Sequence, residues 1–403
     1  MGEVITVQFG NKANWVGANY WNLQDVQLQK YLGESDSTNI NNNILVSEVS
    51  SGIYYPRAIS FEEKGCYGSV NTTTGAIQIL KEENEKEDSW NGMTKVIKIQ
   101  QNYQHWSDIF FSSYNPRSIY EIYPYTSINP LQSYLQGKTL ISDTQFDIYF
   151  EGMRQELERC DSVSCIQVLI DTDGGWGGFV EKYLEETRGE IGKCSMITMG
   201  IYDSQGVYSY ELRKESSMDD LIMNRYMSLY QMSLSSDICI PIDLSCTPSC
   251  YMSPLYDPLY TSTFLSSLIL NNLTIPYRYG SNKHTLHDWT RVMQYNQYKK
   301  FIDVSLSIPP YYYNEEKPYT IPFSTYNQIQ NPHRSSSSIP VFTTYAIPSI
   351  LSNSMSSILY GRNKLDILHY ISTRVSDTIK DEMEYISEAE EFITNFKEEY
   401  QFS

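Results

Sequence analysis

The richest chemistry in the chain lies in one short stretch, Asp171-Thr172-Asp173-Gly174-Gly175-Trp176-Gly177-Gly178. Glycines at this density let backbone N–H groups approach an anion, and a following helix would add its positive end, so phosphate is the natural ligand. The run is not a P-loop, since no Lys-Ser/Thr follows, and it lacks the spacing of a dinucleotide fingerprint. The residues alone leave a second reading open, a glycine-rich turn that lets a helix pack closely on a sheet.

Other candidate sites are weaker. Cys160 with Cys165, and Cys246 with Cys250, are too widely spaced for a zinc set, and no second pair or nearby His completes one. They read as small buried hydrophobes. His284 and His287 could share a helical face but lack a third ligand, and no catalytic triad is suggested. Seven cysteines, an odd number, predict reduced thiols in the cytosol.

The elements around the loop follow from periodicity. In Glu3–Phe9, Val4, Thr6 and Gln8 alternate with Ile5, Val7 and Phe9, which predicts a buried strand ended by Gly10. Trp15, Val16, Tyr20 and Trp21 predict a helix over 14–27, followed by a polar loop insertion over 33–43. Further on, a helix over 153–159, a strand over 165–170, a helix over 178–187 closed by Gly189, and a strand over 195–201 are expected. Strand, glycine loop, helix and strand in that order are the plan of a nucleotide-binding α/β domain.

Composition narrows the function classes. The chain has 403 residues, 41% hydrophobic, enough for a large core or two to three sub-domains. A net charge of −18 and the lack of a basic stripe exclude nucleic acid as the expected partner. MGEVITVQFG is unlike a secretion signal or mitochondrial presequence and reads as a strand rather than a myristoylation start. The longest apolar stretch, Phe264–Leu273, is broken by Ser266, Ser267, Asn271 and Asn272, so no transmembrane segment is expected.

Several segments resemble tubulin in the right order. Val4 through Gly10, then Asn14, Gly17, Ala18 and Trp21, are similar to its first strand, first phosphate loop and first helix; Tyr54-Tyr-Pro-Arg-Ala58 resembles its Tyr-x-Pro-Arg-Ala segment. The glycine loop falls where tubulins carry Gly-Gly-Gly-Thr-Gly-Ser-Gly, and Asn224-Arg-Tyr-Met-Ser-Leu-Tyr-Gln resembles the helix whose Asn contacts the guanine nucleotide. Asp381-Glu-Met-Glu-Tyr-Ile-Ser-Glu-Ala-Glu390 is close to a run in tubulin's C-terminal helices. Trp106-Ser-Asp, Asn115-Pro-Arg-Ser-Ile119, Ile275-Pro-Tyr-Arg278 and Lys364-Leu-Asp366 resemble the narrower Misato family, tubulin-related proteins concerned with mitochondrial distribution and morphology; Asn115 stands where that family has His.

The resemblance implies a tubulin-like α/β fold: a Rossmann-like nucleotide-binding-type domain over 1–238, with insertions near 28–50 and 81–100, a smaller α+β domain over 239–350, and C-terminal helices over 351–403. It implies a degenerate GTP site at Gly10, Asn11, Asn14, Gly174, Gly175, Gly177, Gly178 and Asn224, with GTP and Mg2+ as the cofactor if any is kept. It further implies a non-enzymatic role in mitochondrial distribution and inheritance, in the cytoplasm and peripherally at the mitochondrial outer membrane. Partners would be tubulin, its folding machinery, or mitochondrial surface proteins. A weak GTPase switch, or a cytoskeletal or spindle protein, are the alternatives.

Departures from tubulin bear on mechanism. Asp173 aligns with the loop's first Gly and would repel phosphate unless a cation intervened, and Trp176 aligns with the Thr whose hydroxyl it cannot replace. Asn11 replaces Gln, and Gln101–His105 replaces a second glycine loop. Pro241 and Pro248 fall where tubulins have a central helix, predicting that it is shortened or displaced. Ser281–Asp288 lacks the acidic pattern that polymerising tubulins bring to a neighbour's nucleotide. Tyr385, Ala389, Phe392 and Phe396 predict an amphipathic C-terminal helix, and Ser335–Ser338 a loop.

Overall fold

The alternation in the first strand sorts the whole α/β body into two faces. The computed structural model describes residues 2–33, 41–50, 53–77, 103–140, 143–192, 194–204, 218–246, 258–278, 290, 301–308, 319–322, 330–337 and 356–362. Strand β1 (Glu3–Phe9) sends Ile5, Val7 and Phe9 into one core and Val4 into the other. Thr6 and Gln8 are buried too, and each finds a partner: Thr6 Oγ1 donates to Gln167 Oε1 at 3.0 Å, and the Tyr114 hydroxyl donates to Gln8 Oε1 at 3.2 Å.

Helix α1 (Asn11–Gly33) follows, then a hairpin of β2 (Val46–Ser50) and β3 (Ile53–Pro56), then β4 (Ala58–Lys64). β5 (Ile119–Thr126), α2 (Tyr134–Leu140), α3 (Asp143–Glu158), β6 (Val163–Asp171), α4 (Trp176–Ile191), β7 (Ser195–Tyr202), α5 (Met218–Ser235) and β8 (Ile238–Asp243) complete the body. Six strands form a parallel sheet in the order β5-β4-β1-β6-β7-β8. The chain order reverses between β1 and β6, the switch point outside which open α/β sheets bind ligands.

One core packs α1 and α6 (Pro258–Arg278) on the face carrying Leu169, Met199 and Ile240; the other packs α2 to α5 on the face carrying Val7, Val168 and Ile170. A second sheet, β9 (Ile302–Ile308), β10 (Tyr319–Pro322), β11 (Gln330–Ser337) and β12 (Ser356–Arg362), is antiparallel in the order β10-β9-β12-β11, and Ile302 and Val304 join the α6 core. The tubulin-like α/β class is what the sequence predicted.

Several boundaries differ from the sequence reading. The helix expected to close at Gly189 runs on to Ile191, because an exposed helical glycine costs only about 1 kcal/mol; Gly192, at φ 31°, closes it, its N–H donating to Arg188 O at 3.0 Å. The sheet takes in β8, past residue 238, and the next long helix, α6, spans Pro258–Arg278. Pro241 sits in β8, an outer strand of the six, where a missing N–H is tolerated. Ser335–Ser337, expected in a loop, pair with β12, and residues 356–362, expected among C-terminal helices, are that strand.

No helix among the described residues is long and apolar enough to cross a membrane. In α6 the polar interruptions are absorbed internally, as Ser266 Oγ donates to Ser262 O and Ser267 Oγ to Phe264 O. The amphipathic segment 385–396, the stretch 281–288 and the insertion near 81–100 lie outside the described residues.

Candidate functional site

The pairing of Phe9 with Ile170 sets the carboxyl ends of β1 and β6 side by side, and the loops leaving them meet at the switch point. From β1 come Gly10, at φ 87°, and the first turn of α1, with Asn11 half-buried at its start. From β6 come Asp171 to Gly175, and then α4. This is where the sequence placed its candidate site, and Gly10, Asn11 and Gly174–Gly178 are indeed gathered here.

What fills the space is the protein itself. A β-carbon on Gly10 would strike the indole of Trp176, which is only 2% exposed and stacks edge-on against Phe179. Gly10 therefore makes room for an aromatic ring, at a backbone angle that other residues rarely adopt. Gly175, Gly177 and Gly178 serve close packing. A β-carbon on Gly175 would meet Ser133 O, on Gly177 the side chain of Ser228 in α5, and on Gly178 the carbonyl of Tyr134 in α2. Several backbone donors of the loop are also engaged: Gly175 N donates to Leu131 O, Gly178 N and Phe179 N to Gly175 O, and Asp173 N to Asp171 Oδ1.

Asn224 is a clamp. Its Nδ2 donates to Gln132 O at 2.6 Å and Asp173 O at 3.1 Å, while its Oδ1 accepts from Tyr134 N at 2.8 Å. Asn14 turns the other way, towards β4: its Nδ2 donates to Phe61 O at 3.0 Å and Glu62 Oε2 at 2.8 Å, and its Oδ1 accepts from Ser60 Oγ at 2.9 Å. Glu62 is 1% exposed, and burial, reinforced by Glu63, pushes its carboxyl well above the usual carboxylate range.

Beside the indole lies a buried ionic cluster that the sequence reading passed over. Asp173 is 0% exposed. Its Oδ2 accepts from Lys12 Nζ at 2.7 Å and from Asp203 N at 3.0 Å, and its Oδ1 accepts from Arg225 Nε. Lys12 Nζ also reaches Asp171 Oδ1 at 3.4 Å, and Arg225 Nη2 donates to Asp203 O at 2.7 Å. Burial works against the Arg225 charge, but attraction to Asp173 and the hydrogen bond that Arg225 donates to it more than offset this and hold the guanidinium above its ordinary range. One signal for this cluster was legible: a lysine in the first turn of a helix opposes the dipole, so it calls for a nearby carboxylate.

The nucleotide that the fold family implies does not fit these residues. Its phosphates would have to share the space beside Gly10 with the Trp176 ring, and the Asp173 carboxylate occupies the cations that would neutralise them. The Asn224 amide, expected to contact the nucleotide, is spent on the loop and on the segment before α2. Among the described residues no group of three His, Cys, Asp or Glu gathers to hold a metal ion.

Comparison with known proteins agrees with this architecture. Residues 2–108 match the Misato Segment II tubulin-like domain and residues 98–279 match a tubulin domain. The chain is 26% identical over 309 residues to Protein dml-1 of Neurospora crassa, covering 69% of this chain and 57% of the relative. It is 26% identical over 311 residues to Protein dml1 of Aspergillus oryzae, covering 69% and 61%, and 25% identical over 333 residues to Protein dml1 of Schizosaccharomyces pombe, covering 72% and 68%. The match thus spans about three fifths of the length of the Neurospora and Aspergillus relatives.

Proposed function

The chain belongs to the Misato family of tubulin-like proteins, and from that premise we propose that it is a non-enzymatic factor in mitochondrial distribution, inheritance and morphology that works without bound nucleotide. The observation that carries the nucleotide-free part is the Trp176 ring seated on Gly10 beside the Asp173 ion cluster. A tubulin-type switch needs a ligand that distinguishes two states of its loop. Here the loop is held by Asn224 and by helix packing, so the body acts as a fixed scaffold.

The mitochondrial part rests on the family. On this reading the protein works in the cytoplasm, in peripheral association with the mitochondrial outer membrane, and its partners are proteins: mitochondrial surface proteins, or tubulin and its folding machinery. A net charge of −18 favours basic partner surfaces. The test is depletion of the native protein in cells carrying a tagged copy. Loss of normal mitochondrial distribution, rescued by the tagged natural chain, supports the reading. Unchanged mitochondria after depletion, or a clear thermal shift of the natural chain with GTP and Mg2+, would overturn its first or second part respectively.

A further inference from the structure

Lys12 and Arg225 approach the glycine loop from different helices, α1 and α5, with side chains 6% and 8% exposed. Burying two cations is costly unless an anion meets both. Their donors, together with the N–H of Asp203, converge on the two oxygens of one carboxylate, Asp173. A lysine ammonium, a guanidinium and a backbone N–H aimed at one pair of oxygens is the composition of an oxyanion site. It lies outside the carboxyl ends of β1 and β6, at the switch point of the sheet.

We propose that Asp173 is the resident ligand of an oxyanion site built from Lys12, Arg225 and the Asp203 N–H, so that the chain supplies from its own sequence the anion that a phosphate would otherwise provide. The class of ligand such a site takes once the carboxylate is removed is a small oxyanion: formate, acetate or inorganic phosphate. This deepens the nucleotide-free reading above and rests on it.

Two features favour a built-in ligand over an incidental ion pair. Asp173 is the residue at which α1, the loop, the end of β7 and α5 are joined, through Lys12, its own backbone, Asp203 and Arg225. The cluster is also rich in negative charge, since the carboxylates of Asp171 and Asp173 meet Lys12 and those of Asp173 and Asp243 act on Arg225. An added anion would find no cation to neutralise it unless one carboxylate left.

The experiment uses the full chain and Asp173→Ala, melted in chloride, formate, acetate and phosphate at matched ionic strength. The variant should melt below the natural chain in chloride, and formate or phosphate should restore part of the lost melting temperature in a saturable way, while the natural chain does not respond. Adding Lys12→Met to Asp173→Ala should abolish the restoration. A folded Asp173→Ala that melts alike in all four salts overturns the proposal. If the variant does not fold in chloride, refolding from denaturant decides the matter: recovery with formate or phosphate supports the site, and equal failure in every salt overturns it. GTP with Mg2+ on the natural chain is run alongside, because a shift there would sink the nucleotide-free reading while the variant arm still reports on Asp173.

Discussion

If the Trp176 ring lies on Gly10, the two positions must be coupled energetically, and a double-mutant cycle measures the coupling. Trp176→Ala removes a ring that is 2% exposed and packed edge-on against Phe179, at about 3 to 5 kcal/mol for a buried tryptophan. Gly10→Ala places a methyl against that ring at φ 87°. The backbone penalty is about 1 to 2 kcal/mol, and the overpacking adds roughly 1 to 3. In the double variant the ring is gone, so the overpacking vanishes and only the backbone penalty is left. The pair should therefore lose about 1 to 3 kcal/mol less than the sum of the singles. Urea unfolding followed by circular dichroism gives each value, provided the denaturant slope is unchanged between variants. Additivity within about 0.5 kcal/mol would show that the ring is not seated on Gly10, and the fit argument against phosphate would fall with it.

Asn224→Ala strips three hydrogen bonds that tie α5 to the loop and to the segment before α2, for a loss of roughly 2 to 4 kcal/mol in the same assay; a change under about 0.5 kcal/mol would mean the clamp is idle. His105 supplies a pH signature. Its Nε2 donates to Cys66 O at 2.8 Å, leaving Nδ1 to accept from Ser107 N at 3.1 Å, and burial lowers its pKa from 6.5. Between the folded value and 6.5 the unfolded chain binds more protons, so stability rises with pH across that window and is lost as pH falls through it. His105→Asn, which can still cap the turn, should flatten the slope below pH 6.5, and a slope that persists unaltered assigns it to another group.

How much of this was readable in the residues depends on what each one answers to. The β1 pattern was legible because a strand buried on both faces still alternates in which core it feeds, and the glycine loop was legible because glycine is rare enough to mark close approach. Spacing could not tell what approaches. A cradle and a packing turn need the same missing β-carbons, and only the positions of Trp176, Ser228 and Tyr134 separate them. Lys12 and Arg225 were passed over because their partner, Asp173, lies some 160 residues from one and about 50 from the other. The strand at 238–243 was hidden by Pro241, a residue that argues against a strand unless the strand is known to be an outer one.

Among the described residues that carry the family resemblance, Arg57, Trp106 and Arg278 turn out to be joints, and this bears on what the fold is kept for. Arg57 donates to Arg159 O and Cys160 Sγ, tying the segment before β4 to the turn before β6. Trp106, fully buried, packs against Tyr67, Phe110 and Tyr114 in the core that holds α1. Arg278 is 0% exposed and holds Asn271 and Thr274 in the last turns of α6. A ligand-gated body gains its working conformation only while ligand is bound, about 2.7 kcal/mol at a hundredfold excess over Kd. A body whose loop is closed by its own tryptophan, carboxylate and asparagine holds that conformation at every ligand concentration. Under the proposed reading, regulation therefore has to act on the surface that partners meet, and substitutions at Trp176 or Asp173 should change stability before they change any partner's affinity.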